Sequence, residues 1–333
     1  MIAFDTAFTR LIGVDVPIVQ APIGGLASPP LAAAVSNAGA LGMLSLTWSD
    51  AAEVGSILGQ MTALTNRPFG VNLILAWPQE ERLRRALDLG VRIVSLFWGD
   101  PSPLVPLVHD AGAIVMHTVG SAEEARRVVD SGVDIVVAQG WEAGGHVMGS
   151  VATLPLIPAV VDAVAPVPVV AAGGIGDGRG LAAVLALGAS AGWLGSRFVL
   201  ATETRAHVTY QALLLAAAET STVHTGVFDG GWPNAPHRTL RNSTIDAWEA
   251  AGRPNSDRPG EGDTIAILDD EPILRYASAS PHAALVGDVE ALPMWAGQSV
   301  GLIHDLLPAA EIVRAIAAEA AEALGRASGL VRR

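Results

Sequence analysis

Cysteine is absent from the 333-residue chain, which excludes disulfides, thiolate nucleophiles and Cys-ligated metal or iron–sulfur centres. Lysine is absent too, since all 20 basic residues are arginine; Schiff-base chemistry and a lysine-tethered pyridoxal phosphate are thereby excluded. Aromatic residues are scarce, at 5%. Pro, Gly or Asp interrupts each apolar run well before the roughly 18 residues that a membrane span needs. The N-terminus lacks the basic and apolar regions of a signal peptide, so a cytoplasmic protein without a membrane partner is expected. Positive charge is in deficit, and the net charge of −13 argues against a nucleic-acid partner, whose phosphates reward a basic patch. An anionic small molecule remains admissible, because backbone N–H groups and a few placed cations act locally.

What the chain does have is apolar bulk. Half of it is hydrophobic and 16% charged, enough to bury a large core. From residue 17 to about 217, short β-rich runs alternate with stretches of helical periodicity, the signature of a parallel sheet with crossover helices. Strands are expected at 17–20, 40–44, 69–75, 91–96, 113–117, 133–139, 167–172 and 191–194, with helices beginning near residues 29, 50, 79, 103, 121, 155, 177 and 204. Eight units predict a (β/α)8 barrel, and the near-continuous apolar strands suit burial on both faces. Ser121 with Glu124 three residues on reads as a capping box. The barrel is expected to occupy residues 1–220. Residues 221–305, rich in Gly, Pro, Asn and Asp, read as an irregular insertion capping the active site. Residues 306–333 read as an Ala-rich helix packing back on the barrel.

Active sites of such barrels lie at the carboxyl ends of the strands, and phosphates commonly bind after strands 7 and 8. Glycine clusters stand at both places: Ala172-Gly173-Gly174-Ile175-Gly176-Asp177 after strand 7 and Gly195-Ser196-Arg197-Phe198 after strand 8. There, backbone N–H groups can approach phosphate oxygens closely. After strand 6 comes Gln139-Gly140-Trp141-Glu142-Ala143-Gly144-Gly145-His146, a glycine loop ending in a side chain that can move protons or orient an anion. His117, at the end of strand 5, is a second candidate. Asn72, inside apolar strand 3, needs a partner for its amide, either a neighbouring loop or a ligand's polar edge. With the small turn Ala21-Pro22-Ile23-Gly24-Gly25 opposite, the arrangement suits a flat heterocycle. Asp100, Glu142 and Asp177 show no metal-ligand spacing, so no metal is expected.

In order and spacing, Ala21-Pro22-Ile23-Gly24-Gly25, Gly70-Val71-Asn72, the Gln139 to His146 loop, the Ala172 to Gly180 loop and Gly195-Ser196-Arg197-Phe198 resemble the nitronate monooxygenases, formerly 2-nitropropane dioxygenases. The resemblance covers residues 10–220 and again 293–298. It implies non-covalent FMN, with Gly173, Gly174, Gly195 and Ser196 at the phosphate. Ala21, Pro22 and Ile23 would lie at the isoalloxazine, Asn72 and Gln139 would bond its polar atoms or the ribityl chain, and Gly144 and Gly145 would line the nearby loop. His146 would be the catalytic residue, acting on a small anionic nitronate that reacts with O2 to give a carbonyl compound and nitrite. Trp295 and Ser299 are candidates for the substrate pocket wall, as are His117 and Trp141. Trp141 is bulkier than the small residue expected after Gly140, and Ser196 stands where Thr is usual. FMN-dependent enoyl-acyl-carrier-protein reductases and NAD(P)H:quinone reductases share much of the same pattern and remain the alternative. A non-redox barrel binding a phosphate ligand is a third reading. No Gly-x-Gly-x-x-Gly dinucleotide fingerprint is visible, and a monomer or homodimer is expected.

Overall fold

The computed structural model describes residues 2–331. Eight parallel strands form its centre: β1 Ile18–Gln20, β2 Gly42–Ser45, β3 Phe69–Ile74, β4 Ile93–Phe97, β5 Ile114–Val119, β6 Ile135–Gln139, β7 Val169–Ala172 and β8 Ala191–Leu194. From β2 to β8 each strand pairs with its sequence neighbour, and β8 returns to β1 with Gln20 against Leu194. Between β1 and β2 the ladder closes through Leu41, whose N–H donates to Ile18 and whose carbonyl accepts from Gln20, both at 2.9 Å. The result is a (β/α)8 barrel, and every expected strand lies within two residues of its position.

The crossover helices are α1 Pro29–Asn37, α2 Ala51–Leu64, α3 Glu80–Asp88, α4 Val105–Asp110, α5 Ala122–Asp130, α6 Thr153–Val164, α7 Gly178–Ala186 and α8 Val208–Ala216. Asp50 and Ser121 cap α2 and α5 with side-chain oxygens, as their residue types predict. The capping box at α5 is incomplete, however. Ser121 accepts from the Glu124 N–H, but the Glu124 carboxylate accepts from Gly120 at 2.7 Å rather than from Ser121. The last crossover also departs from expectation: a one-turn helix Ser196–Val199 follows β8 at once, and α8 begins only at Val208.

Strand parity sorts the side chains. Val19, Met43, Met116, Val137 and Val170 fill the barrel interior together with Phe8 and Ile12. Those last two come from an N-terminal helix, Ala7–Ile12, capped by Thr6, which closes the bottom. One layer higher the inward positions turn polar: Ser45, Asn72, Thr118 and Gln139. The polar layer therefore faces the carboxyl-end side of the barrel.

The segment 221–305 is more regular than its composition predicts. Thr222–Thr225 and His237–Leu240 pair antiparallel, and the second strand also takes in Gly145–His146 of the β6 loop. A further small sheet joins Thr264–Leu268, Glu271–Leu274 and Val286–Gly287. A final helix, Ala309–Ser328, lays Ile312, Val313, Ile316 and Ala320 against the barrel core. No helix among the described residues is long and apolar enough to cross a membrane.

Candidate active site

A cavity of about 600 Å³ opens at the carboxyl ends of the strands. Of the residues singled out from sequence, Ala21, Pro22, Ile23, Asn72, Gln139, Gly144, Gly145, His146, Gly173, Gly174, Gly195, Ser196, Trp295 and Ser299 all line it.

At one end the glycine loops meet. Gly173 and Gly174 have φ of +89° and +73°, backbone that glycine adopts readily and L side chains rarely do. A Cβ on Gly173 would lie 2.9 Å from that of Ala143, so the β7 loop packs directly on the β6 loop. The N–H groups of Gly173, Gly174 and Gly195 have no acceptor among the described residues. Polar backbone left this way at a cavity wall is a ready anion cradle. Glu142 and Thr153 hold the cradle in place. The Glu142 carboxylate accepts from the Thr153 N–H at 2.8 Å and from its hydroxyl at 3.1 Å, and that hydroxyl also lies 3.1 Å from the Gly173 carbonyl. Neither residue has a loop signature that identifies this role.

On the cavity floor Asn72 donates through Nδ2 to the Ser95 carbonyl and hydroxyl, both at 3.3 Å. Gln139 donates through Nε2 to the His146 carbonyl at 3.1 Å. Each amide thus satisfies its donor within the protein and keeps its carbonyl oxygen for the cavity.

His146 sits where the β6 loop becomes a strand edge. Its backbone pairs with His237, and its ring stacks on Trp232 with centroids 3.9 Å apart. Trp295 lies at 5.2 Å and His237 at 5.5 Å. Burial among these rings pushes the imidazole down to about 3, and the neighbouring His237 adds to the shift. His146 is therefore neutral at physiological pH. Its Nε2 lies 3.5 Å from the Ser278 hydroxyl. Trp232, Ser278 and Ser280 escape sequence reading because they come from the Gly- and Pro-rich segment more than 80 residues downstream. Ser280 accepts from Trp295 Nε1 at 3.0 Å, and a Cβ on Gly24 would meet its hydroxyl at 2.8 Å. The later segment thus closes over the β1 turn.

Two expected pocket residues lie elsewhere. Thr118 faces the cavity, so parity turns its neighbour His117 outward toward the helix layer. There His117 lines a second hollow with Asp100 and Arg127, 3% exposed and with no partner for Nδ1. Trp141 points away from the cavity, between the Arg238 guanidinium at 4.3 Å and the His224 ring at 5.3 Å. Its bulk braces the glycine loop rather than shaping the pocket. Among the described residues no group of three or more His, Asp or Glu side chains is arranged to hold a metal ion.

The model of the nitronate monooxygenase family matches residues 5–82 and 75–319. A nitronate monooxygenase of Pseudomonas aeruginosa is 34% identical over 94% of this chain and 98% of its own length. A Mycobacterium tuberculosis protein, (3aS,4S,5R,7aS)-5-hydroxy-7a-methyl-1-oxo-octahydro-1H-indene-4-carboxyl-CoA dehydrogenase, is 34% identical over 98% of this chain and 99% of its own length. The structure of FabK from Thermotoga maritima superposes with a TM-score of 0.84 at 31% identity, covering 98% of this chain and all of that one.

Proposed function

The chain belongs to the nitronate monooxygenase family and is an oxidoreductase of that family; from this premise we propose that it binds FMN and oxidises alkyl nitronates with O2 to a carbonyl compound and nitrite. The observation that carries the reading is the neutral imidazole of His146 facing a cavity whose far end offers the unpaired N–H groups of Gly173, Gly174 and Gly195.

The residues present fit a flavin mononucleotide. Gly173, Gly174 and Gly195 would donate to the phosphate oxygens, with the Ser196 hydroxyl beside them. The carbonyl oxygens of Asn72 and Gln139 would accept from the imide edge of the ring, and Ala21, Pro22 and Ile23 supply a small apolar bed. When bound, the flavin supplies electron acceptance and the reaction with O2. The chain supplies position and field. Nε2 of His146 takes the α-proton of a neutral nitroalkane, or bears a proton opposite a bound nitronate, whose negative charge raises the imidazole from its low value. Trp232 and Trp295 exclude water from that face, which strengthens the interaction between imidazole and anion.

One observation keeps the reductase alternative in view: the likeness to FabK along nearly the whole chain. Against it, among the described residues no Arg lines the cavity and the chain has no Lys, so the phosphates of a dinucleotide would meet no side-chain cation on that lining. An anaerobic titration of the flavin-loaded protein separates the two readings. Loss of the flavin's visible band on adding an alkyl nitronate, with NADH and NADPH inert, is the expected result. Bleaching by a reduced nicotinamide alone would make the protein a reductase.

A further inference from the structure

Tryptophan is concentrated on one side of the cavity. Trp48, Trp77, Trp98, Trp232 and Trp295, five of the eight in the chain, connect with one another and with His146. Trp232, stacked on the His146 imidazole, meets Trp77 edge-on at 5.0 Å and Trp98 at 5.1 Å. Trp77 in turn meets Trp48 at 5.9 Å. Trp48 is 55% exposed and lines the cavity together with Trp232, Phe97, Ile74 and Leu268. Trp48, Trp232 and Trp295 stand on the lining itself, while Trp77 and Trp98 pack against Trp232 without lining the cavity; the cluster is assembled from the loops after β2, β3 and β4 and from two places in the segment 221–305. On that lining His146 and His282 are the only titratable side chains among the described residues.

An exposed indole on an apolar wall without charge has little to gain from a small anion, and much from an apolar group that stacks on it and leaves water. We propose that this wall is a subsite for an aryl or extended alkyl substituent. On the reading of the preceding section, the favoured substrates are nitronates whose charged head sits at His146 and whose tail runs past Trp232 to Trp48. The absence of a cation on the lining disfavours substrates with phosphorylated tails. Burial of each methylene is worth about a fourfold gain in affinity, so specificity climbs with chain length until the tail reaches the rim.

The test uses the flavin-loaded enzyme with the nitronates of nitroethane, nitrohexane and 2-phenylnitroethane, alongside calorimetric titration with the unreactive anions propionate and 3-phenylpropionate. The expected result is a rise in kcat/KM of at least tenfold from the ethyl to the hexyl and phenylethyl nitronates, and at least tenfold tighter binding of 3-phenylpropionate than of propionate. In Trp48→Ala both ratios shrink at least threefold. Turnover of all three nitronates with equal kcat/KM, or best with ethyl, overturns the subsite and leaves nitronate oxidation standing. Failure to oxidise any nitronate overturns that oxidation instead, and the calorimetry then decides the subsite: equal binding of the two carboxylates, or ratios unmoved by Trp48→Ala, refutes it.

Discussion

The chemistry at residue scale turns on the buried imidazole of His146, which burial keeps neutral until an anion binds beside it. His146→Asn keeps the approximate shape and loses the basic nitrogen, so turnover is expected to fall at least tenfold, within the usual worth of a positioned acid–base group. The glycine cradle is untouched, so flavin content, read from the visible absorbance of the purified variant, should match wild type; wild-type turnover would remove His146 from the mechanism. Burial also couples histidine to stability. His237 accepts from the Phe228 N–H through Nε2 at 3.3 Å, while Nδ1 lies 2.9 Å from the Ala235 carbonyl, an arrangement that uses the neutral ring fully. Burial lowers both His237 and His117 to about 4. The unfolded chain, with histidine near its ordinary 6.5, binds protons that the folded state refuses, so stability falls as pH drops through the window from 6.5 to about 4. Each ring contributes about 1.4 kcal/mol per pH unit within it. Urea midpoints at pH 7 and pH 5 should show a weaker pH dependence in His117→Gln than in wild type. Equal slopes would contradict the assignment.

Among elements, the decisive contact joins two βα loops to a helix start. Thr153, the first residue of α6, donates to Glu142 of the β6 loop and lies 3.1 Å from the Gly173 carbonyl of the β7 loop. Thr153→Val keeps the volume and removes both hydroxyl contacts, leaving a partly buried carboxylate short of a donor. Losses of this kind run to about 1–3 kcal/mol, so flavin affinity should weaken about tenfold in equilibrium dialysis while the thermal midpoint moves only a few degrees; unchanged affinity would mean that the cradle is held elsewhere. Strand and helix positions were legible because each βα unit announces itself locally, by an apolar run and then a capping residue. The capping box at α5 was only half legible, since residue type does not say whether Glu124 turns back to Ser121 or to Gly120.

For the whole molecule, the chain's last helix belongs to the barrel's integrity. Ile312 and Ile316 are buried against it, Glu319 accepts from the Gly178 N–H at 2.9 Å, and a Cβ on Gly178 would stand 2.3 Å from that of Glu319. Ile316→Ala removes buried methylenes and leaves a void, a change expected to cost about 2–5 kcal/mol and to lower the urea midpoint without altering the flavin spectrum of the folded protein. A midpoint equal to wild type would place the helix outside the cooperative unit. At this scale the sequence by itself determined the barrel, its bottom-to-top polarity and the glycine loops, because parallel βα units repeat a local pattern and their active face is set by chain direction. Tertiary structure alone decided which aromatic and hydroxyl groups surround His146. Trp232 and Ser278 reach it through the antiparallel pairing of His237 with His146, across some 90 residues whose short strands carry no periodicity long enough to read. It also turned His117 and Trp141 away from the cavity, since a one-residue step along a strand, or a cation–π partner nearly a hundred residues away, reverses where a side chain points.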